Sequence, residues 1–373
     1  MELAVYHPYL KEKGGAEKVV LEYAKRSEND VTVFTMFYDE EATFSGFQDV
    51  DVDVVSNRRG PESFFAQAKD FIVGGMFQKL DLKGFDALLV SETGAGSVIN
   101  FRNHDLPILG YCHTPLRAAL PEFKDTYRAG FHPVLRPFYS VMTAVFNMME
   151  SYAWRYFDVV AANSEVTKQR VLEKGLVGKD KVSVVNPGVE TDTQGSESYE
   201  KYFFYPSRFE PYKRQELAIE AFEEAELDGF ELVLAGSSAD ENYISELEER
   251  AGENVSIETD VDGERWEELY SNCYSVLFLS EKEDWGIVPL EAGTYEKPVI
   301  AVNEGGPRNS VVDGETGFLV EAEKEAIAEK MRFLAENEKK VKNVGRKGRE
   351  NAKKYSWENF AEKIDGLVSG LQD

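Results

Sequence analysis

Residues 202–214 read Tyr-Phe-Phe-Tyr-Pro-Ser-Arg-Phe-Glu-Pro-Tyr-Lys-Arg, an apolar run followed within a few positions by three cations. The apolar run, 202–205, predicts a buried strand, and the polar segment before it, 190–201, has no apolar period and predicts a linker. On both sides of this segment, short β-rich runs alternate with helical patterns. This alternation predicts an α/β chain of two Rossmann-like domains, 1–190 and 200–355, each built on a parallel sheet.

The predicted strands are short apolar runs. In the predicted helices, apolar residues recur every three to four positions. Predicted strands are 3–6, 31–35, 87–90, 108–112, 159–162, 182–185, 202–205, 232–235, 255–258, 276–279 and 299–302. Predicted helices are 16–26, 62–80, 134–156, 215–224, 241–250, 265–270, 289–295 and the charged tail from 324 onward. Ligands of parallel sheets bind at the carboxyl ends of the strands, so the cleft between the domains is the expected site.

Composition restricts the class of partner. The chain has 373 residues, with 42 Lys and Arg against 68 Asp and Glu, a formal net charge of −26. This charge argues against nucleic-acid binding and against electrostatic docking on an anionic membrane. The most apolar segment, 138–149, is short and interrupted by polar residues, which predicts a buried helix rather than an anchor. Two distant cysteines, Cys112 and Cys273, predict a reduced, cytoplasmic protein.

Two motifs of the first domain follow predicted strands. Gly14-Gly15 opens the first helix and leaves room for an anion near helix N–H groups, although a turn without a ligand explains it equally well. His113 follows the strand 108–112, and Pro115 keeps residue 114 extended, so that the His projects toward the cleft. A capped core His is the competing interpretation, which the residues alone favour slightly. The histidines show no paired metal spacing, so no zinc site is predicted.

Two motifs of the second domain carry charge at strand ends. Arg208 and Lys213 are suited to a diphosphate, because Arg offers a bidentate fork and Lys a point charge. A solvated helix start is the competing interpretation, but cations at a helix N-terminus oppose the macrodipole and so need another reason to be there. Glu283 and Glu291, eight positions apart, flank a turn that contains Gly286 and lies before a helix. Such a pair can accept hydrogen bonds from hydroxyls at two points of one long ligand. Ordinary surface acids are the competing interpretation.

Two Asp-x-Asp patterns, 51–53 and 260–262, match the metal-binding motif of some sugar transferases. In a chain with 68 acidic residues such matches occur by chance, and neither lies beside a nucleotide-binding loop. We therefore reject both as metal sites.

Together these motifs resemble the retaining glycosyltransferases of family 4, which have the GT-B fold. The resemblance covers nearly the whole chain, because further family motifs follow in the right order. They are Asn163-Ser164, Asn186-Pro187-Gly188-Val189, Lys297-Pro298-Val299-Ile300-Ala301, Gly305-Gly306, Asp313 to Val320 and Tyr355 to Phe360. The resemblance also implies that the segment 356–373 forms a helix that crosses back onto the first domain.

The resemblance implies roles for individual residues of the second domain. Arg208 and Lys213 are expected to hold the donor diphosphate and to stabilise it as the leaving group. Glu283 is expected to bind hydroxyls of the donor sugar, and Glu291 those of the ribose. The backbone N–H groups expected to approach the sugar and phosphates belong to Gly286, Ile287 and Val288.

In the first domain, the resemblance implies that His113 hydrogen-bonds the donor sugar near the reaction centre. Gly15 is expected to leave room for the phosphates beside the acceptor. The forms of the His113 and Lys213 motifs look most like the mannosyltransferase branch that builds O-antigen-type glycans.

The resulting prediction is a metal-independent, retaining glycosyltransferase without a cofactor. It moves a sugar, mannose from GDP-mannose, onto a glycan or lipid-linked acceptor at the inner face of a membrane. Another GT-B activity, such as a sugar phosphorylase or a nucleotide-sugar epimerase, and a catalytically silent sugar-nucleotide binding protein are the alternatives. The oligomeric state is not readable from the sequence.

Overall fold

The computed structural model describes the chain except for residues 57–74, 95, 130, 194, 196–197, 238–239, 260, 262 and 373. The helix predicted over 62–80 therefore lies mostly outside the described residues, and so do Asp260 and Asp262. The chain divides into two compact units. The first unit is residues 1–187 with 357–373, and the second unit is residues 188–356.

The first unit is built on a parallel sheet with the strand order β5-β3-β1-β6-β7-β8-β9. Its strands are β1 (Glu2–Tyr6), β2 (Tyr9–Leu10), β3 (Asp30–Thr35), β4 (Phe37–Tyr38), β5 (Asp51–Val54), β6 (Ala87–Glu92), β7 (Ile108–Cys112), β8 (Val159–Ala162) and β9 (Val182–Val184). The short strands β2 and β4 pair separately. Its helices are α1 (Gly15–Arg26), α2 (Pro121–Ala129), α3 (Arg136–Ala153), α4 (Glu165–Glu173) and the C-terminal helix (Trp357–Ser369).

The second unit has its own parallel sheet, in the order β12-β11-β10-β13-β14-β15. Its strands are β10 (Tyr202–Pro206), β11 (Glu231–Gly236), β12 (Val255–Thr259), β13 (Ser275–Phe278), β14 (Val299–Val302) and β15 (Phe318–Val320). Its helices are α5 (Gln215–Ala225), α6 (Glu241–Arg250), α7 (Gly263–Asn272), α8 (Val288–Thr294), α9 (Pro307–Ser310), α10 (Lys324–Glu336) and α11 (Glu338–Ala352).

Both sheets confirm the predicted Rossmann-like architecture, because their inner strands are near-continuous apolar runs of the kind that is buried on both faces. In each sheet the first strand of the unit lies in the middle, and the chain proceeds outward first to one side and then to the other. The order therefore reverses between β1 and β6 in the first unit, and between β10 and β13 in the second. Open α/β sheets bind their ligands at the carboxyl ends of the strands beside such a reversal.

The C-terminal helix packs within the first unit. Phe360 meets the rings of Tyr23 on α1 and Tyr111 on β7, both edge-on. The Asp365 carboxylate accepts hydrogen bonds from the end of α1 and the turn after it, namely from Tyr23 Oη, Ser27 Oγ, the Glu28 N–H and Asn29 Nδ2. Trp357, Phe360 and Ile364 are almost fully buried. Each such side chain contributes roughly 1.5–3 kcal/mol of burial free energy, so this helix is part of the core of the first unit.

The polar segment 190–201 is bound to the second unit where it is described. The Lys297 ammonium donates a hydrogen bond to the Ser198 carbonyl and lies 3.9 Å from the centroid of the Tyr199 ring. Burial lowers the pKa of Lys297 to about 8. Thr193 donates to the Thr294 carbonyl at 3.0 Å. Polar contacts therefore hold this segment on the second unit, which explains why its sequence has no apolar period.

The prediction of a buried helix at 138–149 is wrong. One face of α3 is exposed and entirely apolar, and its residues follow one another at spacings of three and four. They are Pro137, Phe138, Val141, Ala144, Val145, Met148 and Tyr152. Only the opposite face, with Tyr139, Thr143 and Glu150, is buried. Within the described residues, no helix is both long and apolar enough to span a bilayer.

Candidate active site

Three loops of the second unit leave neighbouring strands at the same edge of the sheet. They follow β10, β13 and β14, and they flank the point where the strand order reverses. Backbone hydrogen bonds join them: the Glu281 N–H donates to the Tyr212 carbonyl, and the Gly306 N–H donates to the Glu283 carbonyl. The parallel sheet thus brings together residues that are about 70 to 90 positions apart in the sequence.

Lys213 and Glu283 form an ion pair across the first two loops. Lys213 Nζ lies 2.7 Å from Glu283 Oε2, and the side chains are 14% and 16% exposed. The Tyr205 hydroxyl donates to the Lys213 carbonyl and so fixes the backbone of this residue. The Lys213 ammonium also lies 4.9 Å from the centroid of the Tyr212 ring.

Arg208 reaches the same ring from its hydroxyl end. Its Nη2 donates to Tyr212 Oη at 3.4 Å and lies 3.7 Å from Glu210 Oε2. Its side chain is 47% exposed, in contrast to that of Lys213. The structure therefore brings the two predicted cations together around Tyr212.

The third cation of the stretch, Arg214, has a different place. It adopts left-handed backbone angles (φ 58°) just before α5, and its guanidinium pairs with Glu304 at 3.2 Å. Glu304 follows β14, at the same sheet edge as Lys213 and Glu283. Sequence reasoning missed Glu304, and its position directly after a predicted strand was the signal that could have found it.

The turn between the two predicted carboxylates depends on glycine. Gly286 has φ 73°, and a Cβ there would lie 2.6 Å from the Phe278 ring. Gly305 and Gly306 brace the same loop from the next strand, since a Cβ on Gly306 would lie 2.0 Å from the Trp285 carbonyl oxygen. Ile287 and Val288 continue the turn into α8 and are half-buried.

Glu291 lies in the first turn of α8 and accepts a hydrogen bond from the Tyr270 hydroxyl at 3.0 Å. Tyr270 is buried and stacks on Tyr295, with ring centroids 5.1 Å apart. This contact fixes the direction of the Glu291 carboxylate. No local sequence pattern indicates Tyr270 as a partner of Glu291, because it lies on a different helix.

In the first unit, Gly15 is the first residue of α1, and a Cβ there would meet no atom within 4 Å. The position is therefore open. At Gly14, by contrast, a Cβ would meet the Glu17 carboxylate at 2.3 Å.

His113 follows β7, and its ring is half-buried. Its backbone carbonyl accepts a hydrogen bond from Asn163 Nδ2 at 2.9 Å, and its Nε2 lies 3.0 Å from Ser91 Oγ. Burial, together with the nearby His7, lowers the pKa of His113 to about 3, so the imidazole is neutral at physiological pH. His113 is therefore a hydrogen-bonded residue at a strand end and not a wholly enclosed core residue.

The described part of the chain contains no cluster of metal ligands. Asp51 and Asp53 are exposed on the edge strand β5. No group of three His, Cys, Asp or Glu side chains among the described residues is arranged to hold a metal ion.

Two family models match consecutive parts of this chain. The Glycosyltransferase Family 4 model matches residues 13–193, and the Glycosyl transferases group 1 model matches residues 190–351. The alpha-1,3/1,6-mannosyltransferase ALG2 of Dictyostelium discoideum is 24% identical over 100% of this chain and 98% of its own length. That of Candida glabrata is 26% identical over 93% of this chain and 88% of its own length.

The chain belongs to the family 4 glycosyltransferases. Among solved structures, this glycosyltransferase is similar to Anabaena HepE in complex with UDP and glucose, with a TM-score of 0.76 and 18% sequence identity over 99% of each chain. That likeness confirms the GT-B fold of the glycosyltransferase.

Proposed function

We propose that this glycosyltransferase transfers mannose from GDP-mannose to a glycan or lipid-linked acceptor, with retention of configuration and without a metal ion. The observation that carries the proposal is the grouping of Arg208, Lys213 and Glu283 beside the strand reversal of the second unit. The names of the mannosyltransferase relatives support the choice of sugar.

Lys213 is suited to the donor diphosphate even while it contacts Glu283. An ammonium group has three N–H donors, and the contact with Glu283 uses one of them. Negative charge grows on the diphosphate as it departs, and a cation held in place before the reaction stabilises that charge in the transition state. Arg208, more exposed and on the other end of Tyr212, supplies a second cation.

The carboxylates divide the rest of the donor between them in this proposal. Glu283 accepts a hydrogen bond from a sugar hydroxyl, and Glu291, oriented by Tyr270, accepts hydrogen bonds from the ribose. The backbone N–H groups of Gly286, Ile287 and Val288 approach the sugar and phosphates. Gly286 permits this approach because it has no side chain. Its left-handed backbone angles are ones that residues with a Cβ rarely adopt.

The first unit contributes Gly15 and His113. Gly15 keeps the start of α1 open for phosphate oxygens. His113, held neutral by burial, makes a hydrogen bond to a hydroxyl of the transferred sugar. A neutral ring has one acceptor and one donor nitrogen, which suits it to a hydroxyl.

We propose a same-face substitution as the chemical step. The bond between the anomeric carbon and the diphosphate oxygen breaks, and a bond to the acceptor oxygen forms on the same face of the sugar. The acceptor proton passes to the departing diphosphate. No covalent enzyme intermediate is required.

We also propose that the enzyme acts at the cytoplasmic face of a membrane, and the exposed face of α3 supports contact with a membrane surface. Phe138, Val141 and Met148 are 56%, 64% and 66% exposed, and no charged residue interrupts this face. The surrounding segment, 117–155, has five cations and three acids, whereas the whole chain has a net charge of −26. An apolar helix face with local positive charge is typical of proteins that lie on anionic bilayers.

A panel of nucleotide sugars tests the donor. GDP-mannose, GDP-glucose, UDP-glucose and UDP-galactose are each incubated with the enzyme and a lipid-linked mannoside as acceptor, and the released nucleoside diphosphate is measured. Release from GDP-mannose above the others is expected, and NMR of the product should show the α anomer. Preference for UDP-glucose would favour the second candidate donor, which the HepE complex suggests, and release from no donor would refute transferase activity.

A further inference from the structure

A chain of polar side chains runs from α1 to His113 inside the first unit. His7 Nε2 lies 3.5 Å from Glu17 Oε1, and His7 Nδ1 lies 2.9 Å from Ser91 Oγ. Ser91 Oγ lies 3.0 Å from His113 Nε2. His7, Glu17 and Ser91 are 2%, 7% and 1% exposed, so each contact is shielded from bulk water.

This chain lies where the strand order of the first unit reverses. His7 directly follows β1, Ser91 lies at the end of β6, and His113 directly follows β7. The parallel sheet places β1, β6 and β7 side by side. Residues more than 100 positions apart therefore reach one another at a ligand-binding edge.

When His7 is neutral, the donors and acceptors along the chain have one direction. A carboxylate only accepts hydrogen bonds, so the His7 nitrogen that faces Glu17, Nε2, carries the proton. In a neutral His7, Nδ1 is then an acceptor, and the Ser91 hydroxyl donates to it. The Ser91 oxygen remains as an acceptor for His113, whose Nε2 must carry a proton.

We propose that Glu17, His7 and Ser91 are positioning residues that hold His113 in the Nε2–H tautomer, with Nδ1 as the acceptor of a hydrogen bond from a hydroxyl of the transferred sugar. The second half of this statement rests on the proposed function, whereas the tautomer itself does not.

Two further contacts support a fixed orientation of His113. The His113 carbonyl is held by Asn163 Nδ2, and the ring lies edge-on against Tyr111, with centroids 4.9 Å apart. The lowered pKa of His113 keeps it neutral, which leaves one ring nitrogen unprotonated. A buried network in which every member has a partner holds one arrangement of protons.

Two-bond ¹H–¹⁵N correlation NMR of the ¹⁵N-histidine-labelled enzyme reads the tautomer directly. The chain has four histidines, so each is assigned from a single His→Gln variant. His104 is an internal reference for the opposite tautomer, because its Nδ1 lies 2.9 Å from the Asn100 carbonyl and must donate. At pH 7.5 we expect the Nε2–H pattern for His113. An Nδ1–H pattern, which a doubly protonated His7 would produce by reversing the two hydrogen bonds through Ser91, would overturn the proposal.

Ser91→Ala and Ser91→Thr separate positioning from packing. Alanine removes the central hydroxyl, whereas threonine keeps it and adds one methyl group at a position that lines a small cavity. For Ser91→Ala we expect a mixture of His113 tautomers and a fall in kcat of about tenfold, the effect of one hydrogen bond. Ser91→Thr should restore both.

The two readouts distinguish the possible failures. A Ser91→Ala enzyme that is folded by circular dichroism, with unchanged tautomer and unchanged kcat, would refute the positioning role while the proposed function stands. A wild-type enzyme with the expected tautomer but no transferase activity would refute the proposed function alone. Equal losses in Ser91→Ala and Ser91→Thr would indicate packing and would also refute positioning.

Discussion

Lys213 and Glu283 are 70 positions apart, yet Lys213 Nζ and Glu283 Oε2 are separated by 2.7 Å. Their contact joins the loop after β10 to the loop after β13, at the reversal of strand order in the second unit. Burying a charged pair costs desolvation free energy. This cost is offset only when the two groups interact closely with one another or with a ligand. The pair is therefore the first target for substitution.

Lys213→Ala should lower kcat at least 100-fold, because in the proposed mechanism it removes the fixed cation that stabilises the leaving group, a loss of about 3 kcal/mol in transition-state stabilisation. Circular dichroism should show an intact fold. Lys324→Ala is the matched control, since Lys324 forms a surface pair with Glu224 in the same unit. Wild-type turnover in Lys213→Ala would remove the diphosphate role.

Tyr270→Phe should raise the KM for the donor a few-fold with little change in kcat. The ring keeps its stacking on Tyr295, but the hydroxyl that orients Glu291 is lost. Glu291→Gln should raise KM further, because the charged acceptor for ribose is gone. Tyr274→Phe is the control, since Tyr274 donates to the Leu334 carbonyl. Steady-state kinetics would contradict the ribose role if Tyr270→Phe and Glu291→Gln both matched the wild type.

Glu92→Gln should change the pH dependence of stability. Burial, with a contribution from Glu150, raises the pKa of Glu92 to about 7 in the folded protein, from 4.5. The folded state therefore binds more protons than the unfolded state between these values, and stability is lost as pH rises through that window. From pH 5 to pH 8 we expect the variant to gain about 2 to 3 kcal/mol relative to the wild type.

Urea unfolding of the first unit measures this difference. Trp154 and Trp357 report on that unit once Trp266 and Trp285 are replaced by Phe. Glu173→Gln, on the surface of α4, is the control. A constant difference between wild type and Glu92→Gln across this pH range would show that the carboxyl titrates normally.

EDTA should leave the transfer rate unchanged. In the proposed mechanism, Arg208 and Lys213 supply the positive charge that a divalent cation supplies in metal-dependent transferases. The measurement is turnover after exhaustive dialysis against EDTA, with and without added Mg²⁺ or Mn²⁺. Loss of activity that either metal restores would show that a metal ion takes part.

Val141→Glu and Met148→Glu should weaken binding to vesicles that contain anionic lipid, because each places a charge on the apolar face of α3. Each exposed apolar side chain contributes roughly 1 to 3 kcal/mol when it is buried in the interface. Flotation of the enzyme with the vesicles measures binding, while release of nucleoside diphosphate from a soluble donor should be unaffected. Val312→Glu, a similarly exposed valine in the second unit, is the control. Flotation of all variants equal to that of the wild type would refute docking through α3.

The architecture could be predicted from the sequence because buried parallel strands appear in it as short apolar runs. The runs 108–112 and 159–162 match β7 and β8 residue for residue. The exposure of α3 could not be predicted, because an apolar helical stretch has the same sequence pattern whether a protein or a lipid covers it. The mean hydropathy of residues 138–149 does not distinguish the exposed face of the helix from the buried face.

The residues that contact and position the site residues could not be predicted from the sequence either. His7, Ser91 and His113 meet only because of the order and register of three strands, which no local pattern encodes. The same holds for Tyr270, whose hydroxyl reaches Glu291 from another helix. By contrast, Arg208, Lys213 and Glu283 were visible as charges directly after strands, where parallel sheets place their ligands.

The C-terminal helix has a consequence for biosynthesis. A ribosome completes residues 188–356, all of the second unit, before it makes the residues that complete the core of the first. Until Trp357, Phe360 and Ile364 emerge, the nascent first unit exposes the apolar surface that they later cover. The later-translated half can therefore fold first, and the earlier-translated half waits in a state that attracts chaperones.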